Sequence, residues 1–332
     1  MSQELFTDFE GLSASAWKEK LIQDLKDKPY DSLLWKSKGL EGKPFYTAED
    51  LDFDLPSVAN IPQDPKLFGD RFWVNYQSIN ITDPTTANKQ ALLALKNGAN
   101  GIIFHLTEIP DLHVLLKDIQ IQYCHVSFKL ENSVNAQALS NAYQSLLQDQ
   151  AISAEQVKGF LHSPNSFKNE SPLRSQWVDL NTEGELPQSL ANSLATYIDW
   201  LDEQTEAGRD LIHCFEDSLF VVQTSNDFFL QIAALRAVRQ LLNGLVSAYG
   251  EKQADLKILT QVGPWQAEID DPHSFMLHAT TQAMSAILGG TDQLHVLPFY
   301  EVFPKHSSLA ERIARNISAI LDEESHFTKM TD

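Results

Sequence analysis

The pattern of apolar and polar positions between Phe72 and Leu321 repeats eight times, with a short apolar run followed by a helical segment each time. The runs are rich in β-branched and aromatic residues, as buried parallel strands are. Eight such units in about 250 residues are what a (β/α)8 TIM barrel requires, so we predict this α/β fold for residues 71–328. The predicted strands are Phe72–Asn80, Gly101–Leu106, Gln122–Leu130, Val157–His162, Gln176–Leu180, Leu219–Thr224, Leu256–Gln261 and Gln293–Phe299.

Helix signals separate these runs. Asp83, Asp227 and Asp271 stand where N-cap residues are expected, and the first and third of them are followed by proline. Gly250 is expected to end the helix that Asp227 begins. The fourth unit is the weakest, because Ser163–Arg174 contains two prolines and little helical pattern.

Residues 1–70 are organised differently. A helix is predicted within Met1–Asp27, with Trp17, Leu21 and Leu25 on one face. Three prolines between Leu55 and Gly69 predict an extended segment. An arm this rich in aromatic residues cannot bury them by itself, so we expect it to pack on the barrel or on another subunit.

Composition excludes several classes of partner. The formal net charge of −20 repels nucleic acid and anionic lipid, so neither is expected as a partner. No apolar run approaches the ~18 residues of a membrane span, and the N-terminus has no signal sequence. The two cysteines, Cys124 and Cys214, are expected to be reduced and buried. We therefore expect a cytoplasmic protein.

Four stretches carry a resemblance to a known family. They are LLWKSKGLEGKPFYTAEDL (Leu33–Leu51), Phe228–Leu241, Asp271–Gly290 and Ser308–Ser325. In content and order the chain resembles the small subunits of methylmalonyl-CoA mutase, the adenosylcobalamin-dependent isomerase family that interconverts methylmalonyl-CoA and succinyl-CoA. The resemblance implies a barrel that holds a CoA thioester along its axis, with cobalamin on a separate C-terminal flavodoxin-like domain.

The cobalamin domain of that family is marked by Asp-x-His-x-x-Gly, whose histidine ligates cobalt. The chain contains no such motif and ends at Asp332, just after the predicted eighth helix. We therefore expect no cofactor on this chain and no C-terminal cobalamin-binding domain, with adenosylcobalamin held by the partner subunit. The family usually runs on beyond this point, which is consistent with a fragment of a longer protein.

The residues that the resemblance would make catalytic are replaced. The first strand of an active subunit reads Thr-Ile-Arg-Gln-Tyr-Ala-Gly, whereas Trp73–Ile79 lacks the arginine and is expected to place Gln77 at the tyrosine. The region Ser163–Ile212 has no histidine to stabilise the thioester carbonyl, and the fourth strand has no arginine for the substrate carboxylate. Gln231 replaces a glutamate and His278 an arginine. The combined loss predicts no catalytic residue and no radical chemistry.

The predicted lumen nevertheless contains polar residues on one parity of several strands. The candidates are Asn75, Gln77, His125, Gln223 and His295, with Ser127 and Gln293 beside them. They fit either a polar channel inherited from a substrate site or a plug in which Tyr76, Trp177 and the histidines satisfy one another. We favour the plug. A slip of one residue would reverse the direction of every side chain on a strand.

Three functions are compatible with these observations. The first is a non-catalytic scaffold that forms a heterodimer with a large catalytic mutase subunit, and a homodimer when isolated. The second is an active acyl-CoA mutase barrel that borrows cobalamin from another chain. The third is a barrel enzyme of another chemistry with a strand-end lysine, Lys129 or Lys257. No metal is expected, because no His/Asp/Glu cluster has ligand spacing.

Overall fold

The computed structural model describes residues 12–50, 72–165, 167, 169, 171–263, 271–299 and 308–330. The helices and strands in these ranges, numbered along the chain, are α1 (Ala14–Leu25), β1 (Trp35–Ser37), β2 (Leu40–Gly42), β3 (Val74–Asn80), α2 (Pro84–Lys96), β4 (Gly101–Leu106), α3 (Leu112–Leu115), β5 (His125–Leu130), α4 (Ala136–Asp149), β6 (Leu161–His162), β7 (Gln176–Leu180), α5 (Leu186–Glu206), α6 (Leu211–Asp217), β8 (Ser218–Gln223), α7 (Phe228–Ala248), β9 (Lys257–Val262), α8 (Pro272–Gly289), β10 (Gln293–Val296) and α9 (Ser308–Ala319).

The strands β3 to β10 form one parallel sheet in the order β6-β5-β4-β3-β10-β9-β8-β7. The sheet closes between β6 and β7 through a parallel bridge that joins Phe160 to Arg174. The amide of Leu161 donates to the carbonyl oxygen of Arg174 at 2.8 Å, and the amide of Arg174 donates to that of Gly159 at 3.2 Å. The predicted (β/α)8 barrel is therefore confirmed.

Gly159 permits this closure. Its φ of +136° is one that side-chain-bearing residues rarely adopt, and a Cβ at this position would collide with the carbonyl oxygen of Val126. The backbone before β6 can approach β5 this closely only because residue 159 is glycine.

The helix N-caps are also confirmed. The carboxylates of Asp83, Asp227 and Asp271 accept hydrogen bonds from the backbone amides of Thr86, Leu230 and Ser274, at 2.8, 3.1 and 2.9 Å. Each carboxylate satisfies a donor that has no partner within the helix. The weak fourth unit has no helix in the described residues between β6 and β7.

Two apolar layers lie between the strands and the helices. One joins β7 to β10 with the helices that follow them, and includes Leu235 and Phe220. The other joins β3 to β6 with α2 to α4, and includes Phe128 and Tyr143. Cys214 lies in the first layer and Cys124 in the second, both free and buried as predicted.

The N-terminal arm divides into two parts within residues 12–50. The β1–β2 hairpin docks on the barrel, where the amide of Leu186 donates to the carbonyl oxygen of Lys38 at 2.8 Å and Leu40 packs on the core. The predicted helix is α1, but none of its residues is buried. Its Trp17 contacts Phe45, with ring centroids 4.9 Å apart. The extended segment predicted between Leu55 and Gly69 lies outside the described residues.

Within the described ranges, no helix is both long enough and apolar enough to cross a membrane.

Candidate functional site

The inward face of the barrel is identified by an apolar cluster that crosses the axis. Its members come from β3, β4, β7, β8, β9 and the residue before β6, which can meet only inside the sheet; they are Val74, Tyr76, Ile103, Phe160, Leu219, Val221 and Leu259, with Trp177 packed against them. Side chains alternate along a strand, and paired residues share a face. The pairing of Tyr76 with Gly101, and of Gly101 with His125, therefore places His125 inside as well.

Asn75 and Gln77 do not face the lumen, so this part of the prediction is wrong. The side-chain amide of Asn75 donates to the carbonyl oxygens of Gly98 and Arg315, each at 3.1 Å. Gln77 Oε1 accepts from Arg315 Nη1 at 2.7 Å. Tyr76 takes the inward position of β3, and its polar neighbours face outward because Arg315 on α9 gives them partners.

The other three candidates occupy inward positions. The hydroxyl of Tyr76 lies 3.4 Å from His125 Nδ1. Gln223 Nε2 donates to Gln261 Oε1 at 2.9 Å near the carboxyl ends of β8 and β9. His295 is only 2% exposed, and among the described residues neither of its ring nitrogens has a hydrogen-bond partner. The lumen therefore brings His125 close to Tyr76, whereas Gln223 and His295 lie on separate strands near its other end.

The middle of the lumen is closed by a row of rings, here called the plug, made of Tyr76, Phe160, Trp177 and His162. Successive ring centroids are 5.8, 5.5 and 4.2 Å apart. Tyr76 and Phe160 are almost completely buried. Ser127 Oγ donates to the Tyr76 hydroxyl at 3.2 Å, so the polar end of this ring is satisfied inside the barrel.

Gly101 makes room for the plug. A Cβ on this glycine would collide with the ring of Tyr76. Burial raises the pKa of Tyr76 above its ordinary value, so the phenol stays neutral. The middle of the lumen is therefore filled by side chains that meet across the barrel axis.

A cavity of about 480 Å³ lies at the amino end of the barrel. Its lining includes the first residues of four strands, which are Val74, His125, Lys257 and Gln293. Two cationic side chains in this lining, those of Arg174 and Lys257, form ion pairs with the same acid. Each lies 2.6 Å from a carboxylate oxygen of Asp255. Burial, followed by Lys158 and two other cations, lowers the pKa of His125 to about 3. The cavity thus carries balanced rather than concentrated charge.

A row of basic side chains lies at the opposite, carboxyl end. His105 pairs in register with Lys129, and Lys129 with His162, on the adjacent strands β4, β5 and β6. Lys129 Nζ lies 5.9 Å from the ring centroid of Trp177, whose Nε1 donates to Asp179 at 2.8 Å. Burial, and then the charge of Lys129, lower the pKa of both histidines to about 4. Both imidazoles are therefore neutral near pH 7.

The two lysines proposed as strand-end nucleophiles are thus at different ends. Lys129 lies at the carboxyl end, where barrel enzymes place their chemistry, and Lys257 at the amino end, bound to Asp255. Among the described residues, no group of three or more His, Cys, Asp or Glu side chains could hold a metal ion.

Sequence reasoning missed the row at the carboxyl end. A signal was present, since His105 and Lys129 are next to last in their strands and His162 is last. Sequence alone does not give the register that brings the three together.

The sequence of the chain is similar to those of known proteins from one family. Residues 183–332 match the family described as methylmalonyl-CoA mutase. The chain is 28% identical to the methylmalonyl-CoA mutase small subunit of Porphyromonas gingivalis, over 99% of this chain and 60% of that protein. It is 26% identical to the small subunit of Streptomyces virginiae, over 97% and 56%. A methylmalonyl-CoA mutase of Cereibacter sphaeroides is 24% identical, over 96% and 54%.

The closed parallel sheet with its surrounding helices defines a TIM-barrel protein of the α/β class. The chain is similar to methylmalonyl-CoA mutases, as the sequence resemblance indicated, and residues 183–332 match that family. It spans 54–60% of the length of these three relatives.

Proposed function

We propose that this chain is a non-catalytic small subunit of an adenosylcobalamin-dependent methylmalonyl-CoA mutase and pairs with a large catalytic subunit. The observation that carries the proposal is the plug. The family resemblance implies a thioester lying along the barrel axis, whereas Tyr76, Phe160 and Trp177 occupy that axis here. A packed lumen of this kind stabilises a barrel and leaves no path for a pantetheine chain.

The position of Arg174 supports a non-catalytic role. This arginine is the nearest one to the fourth and fifth strands, where the family resemblance calls for a guanidinium. Its Nη1 donates to the carbonyl oxygen of Ser218 at 2.9 Å, and its Nη2 lies 2.6 Å from Asp255. Both contacts are at the amino end of the barrel. Arg174 therefore serves the barrel closure and is not free to bind a substrate carboxylate at the carboxyl end.

The N-terminal arm supports a protein partner. Its helix α1 buries no residue, and Trp35, Phe45 and Tyr46 are 46%, 51% and 55% exposed. Aromatic side chains gathered on one exposed segment are typical of protein interfaces. The partner in this proposal is the large subunit in a heterodimer, and it carries the adenosylcobalamin, as the family resemblance implies. The free, buried thiols favour the cytoplasm as the compartment of this complex.

The proposal can be tested by mixing the purified chain with a large mutase subunit from the same organism. Light scattering coupled to size-exclusion chromatography should detect a 1:1 complex. Replacing Phe45 and Tyr46 together by alanine should weaken it. Tyr123→Ala, which removes an aromatic side chain that is 82% exposed on the barrel, serves as the matched control and should not.

Two results would contradict the proposal. One is the absence of any complex, with the chain remaining monomeric or forming only a homodimer. The other is turnover of methylmalonyl-CoA by this chain with adenosylcobalamin and a separate cobalamin domain, without the large subunit. That second result would establish the alternative of an active barrel that borrows its cofactor.

A further inference from the structure

The carboxyl end of the barrel carries hydrogen-bond donors that the protein does not use. His105, Lys129 and His162 stand side by side on three neighbouring strands, whose backbones are about 4.8 Å apart. All three have inward parity, as the pairing from Tyr76 through Gly101 to β4 and β5 requires. The structure gives none of these three side chains a hydrogen bond or an ion pair within the described part of the chain. The ring of Trp177 lies 4.2 Å from that of His162, between centroids, and 5.9 Å from Lys129 Nζ.

A fourth basic side chain, His295, also has inward parity, because it pairs in register with Tyr76. His295 is next to last in β10 and is 2% exposed, yet both of its ring nitrogens are without a hydrogen-bond partner among the described residues. Burial first, and then the electrostatic effects of His105 and Lys129, lower the pKa of His295 to about 3. A buried imidazole with no partner loses the hydrogen bonds that water gave it, so its environment is incomplete without a ligand or solvent.

We propose that His105, Lys129, His162 and His295 form a binding site for a small oxyanion, a carboxylate or phosphate group. The inference goes beyond the proposed scaffold role and does not depend on it. Lys129 supplies the positive charge, and each neutral imidazole can donate one N–H. The ring of Trp177, in contact with His162, forms an apolar wall beside the site, suited to the carbon atoms of a small organic acid or ester.

The charges favour an anion over a metal cation. Lys129 lies between two of the histidines in the row and would repel a cation bound to them. Among the described residues, the acid that acts on His162 is Asp179, which raises the pKa of this histidine slightly against the larger lowering effects. Its carboxylate already accepts from Trp177 Nε1 at 2.8 Å, so it is held on the indole side and does not neutralise the row.

Isothermal titration calorimetry tests the proposal with two probes, inorganic phosphate and acetate, at pH 7 and constant ionic strength in sodium chloride. The full chain should bind at least one of them saturably, and the two titrations distinguish a phosphate site from a carboxylate site. Lys129→Gln should weaken binding about tenfold or more, because a charge-assisted hydrogen bond is lost. Lys257→Gln, which removes a lysine from the cavity at the other end, should leave the affinity unchanged.

His162→Gln provides a second variant, with the same expected weakening, should circular dichroism show that Lys129→Gln does not fold. The absence of binding for both phosphate and acetate would overturn the proposal. So would equal affinity in the wild type and the variants at 129 and 162, or a loss confined to Lys257→Gln, which would move the anion to the amino-end cavity.

Discussion

Tyr76 and Phe160 meet inside the barrel with their ring centroids 5.8 Å apart, although β3 and β6 are separated by two other strands. The contact is possible because Gly101, on the strand next to Tyr76, has no side chain to occupy the same space. The two aromatic rings, together with the glycine that makes room for them, therefore fill the middle of the barrel. The barrel fold is kept while these rings occupy the middle of its axis.

The plug is expected to contribute to stability. Phe160→Ala removes a fully buried ring and should lower the free energy of unfolding by about 3–5 kcal/mol. Tyr123→Ala, at an exposed aromatic residue, should change it by less than about 0.5 kcal/mol. Urea denaturation followed by circular dichroism measures both. A loss below about 1 kcal/mol for Phe160→Ala would mean that the lumen is loosely packed, and would weaken the argument for a closed axis.

The fold could be predicted from the sequence because its signals are local. Each N-cap aspartate lies three residues from the amide whose hydrogen bond it accepts, and most strands are short runs rich in apolar residues. The direction of the β3 side chains could not be predicted, because Asn75, Tyr76 and Gln77 are all polar or mixed in character. What decides it is Arg315, which lies 238 residues beyond Gln77 in the chain.

The closure of the barrel could not be predicted from the sequence either, because it depends on a contact between separate segments of the chain. Arg174 follows a proline-containing stretch with no strand or helix pattern, yet its backbone pairs with Phe160 to close the sheet. Of the five residues predicted to face the lumen, His125, Gln223 and His295 do so. Asn75 and Gln77 on β3 face outward. His105, Lys129 and His162 become a site only once the strand register is known.

Gln77 should therefore matter for stability and not for ligand binding. Gln77→Ala leaves Arg315 Nη1 without the acceptor that it has at 2.7 Å, in a buried contact between β3 and α9. We expect a loss of about 1.5–3 kcal/mol in the free energy of unfolding, the range for hydrogen bonds to charged groups. Gln148→Ala, at an exposed position of α4, is the control and should have almost no effect. Unchanged stability in Gln77→Ala would place the side chain elsewhere.

The ion pair between Arg239 and Asp292 is expected to be the most sensitive charged contact among the described residues. Both side chains are 9% exposed, and Asp292 also accepts the amide of Ile258 at 2.7 Å. Asp292→Asn leaves the Arg239 charge buried without its counterion and should destabilise the fold by about 3–5 kcal/mol. Asp24→Asn, in the exposed pair with Lys20, should change stability by less than about 0.5 kcal/mol. Similar small losses in both variants in thermal and urea unfolding would contradict this ranking.

The buried histidines should make the fold sensitive to acid. Burial, followed by neighbouring positive groups, lowers the pKa of His295 to about 3, from an ordinary value of 6.5. The unfolded chain therefore takes up a proton below about pH 6.5 that the folded chain refuses, so stability is complete above that pH and is lost as the pH falls toward 3. Each such histidine contributes a slope of up to about 1.4 kcal/mol per pH unit in this window.

His295→Gln removes one such proton, so its free energy of unfolding should fall less steeply between pH 6 and pH 4 than that of the wild type. His113→Gln, at an exposed histidine, serves as the control and should keep the wild-type slope. The comparison between the two variants cancels the contribution of the carboxylates, which also titrate in acid. Urea unfolding in chloride buffers, without phosphate or acetate, measures the slopes free of any bound oxyanion. Identical slopes in the two variants would mean that His295 can be protonated in the folded state, and hence that water reaches it.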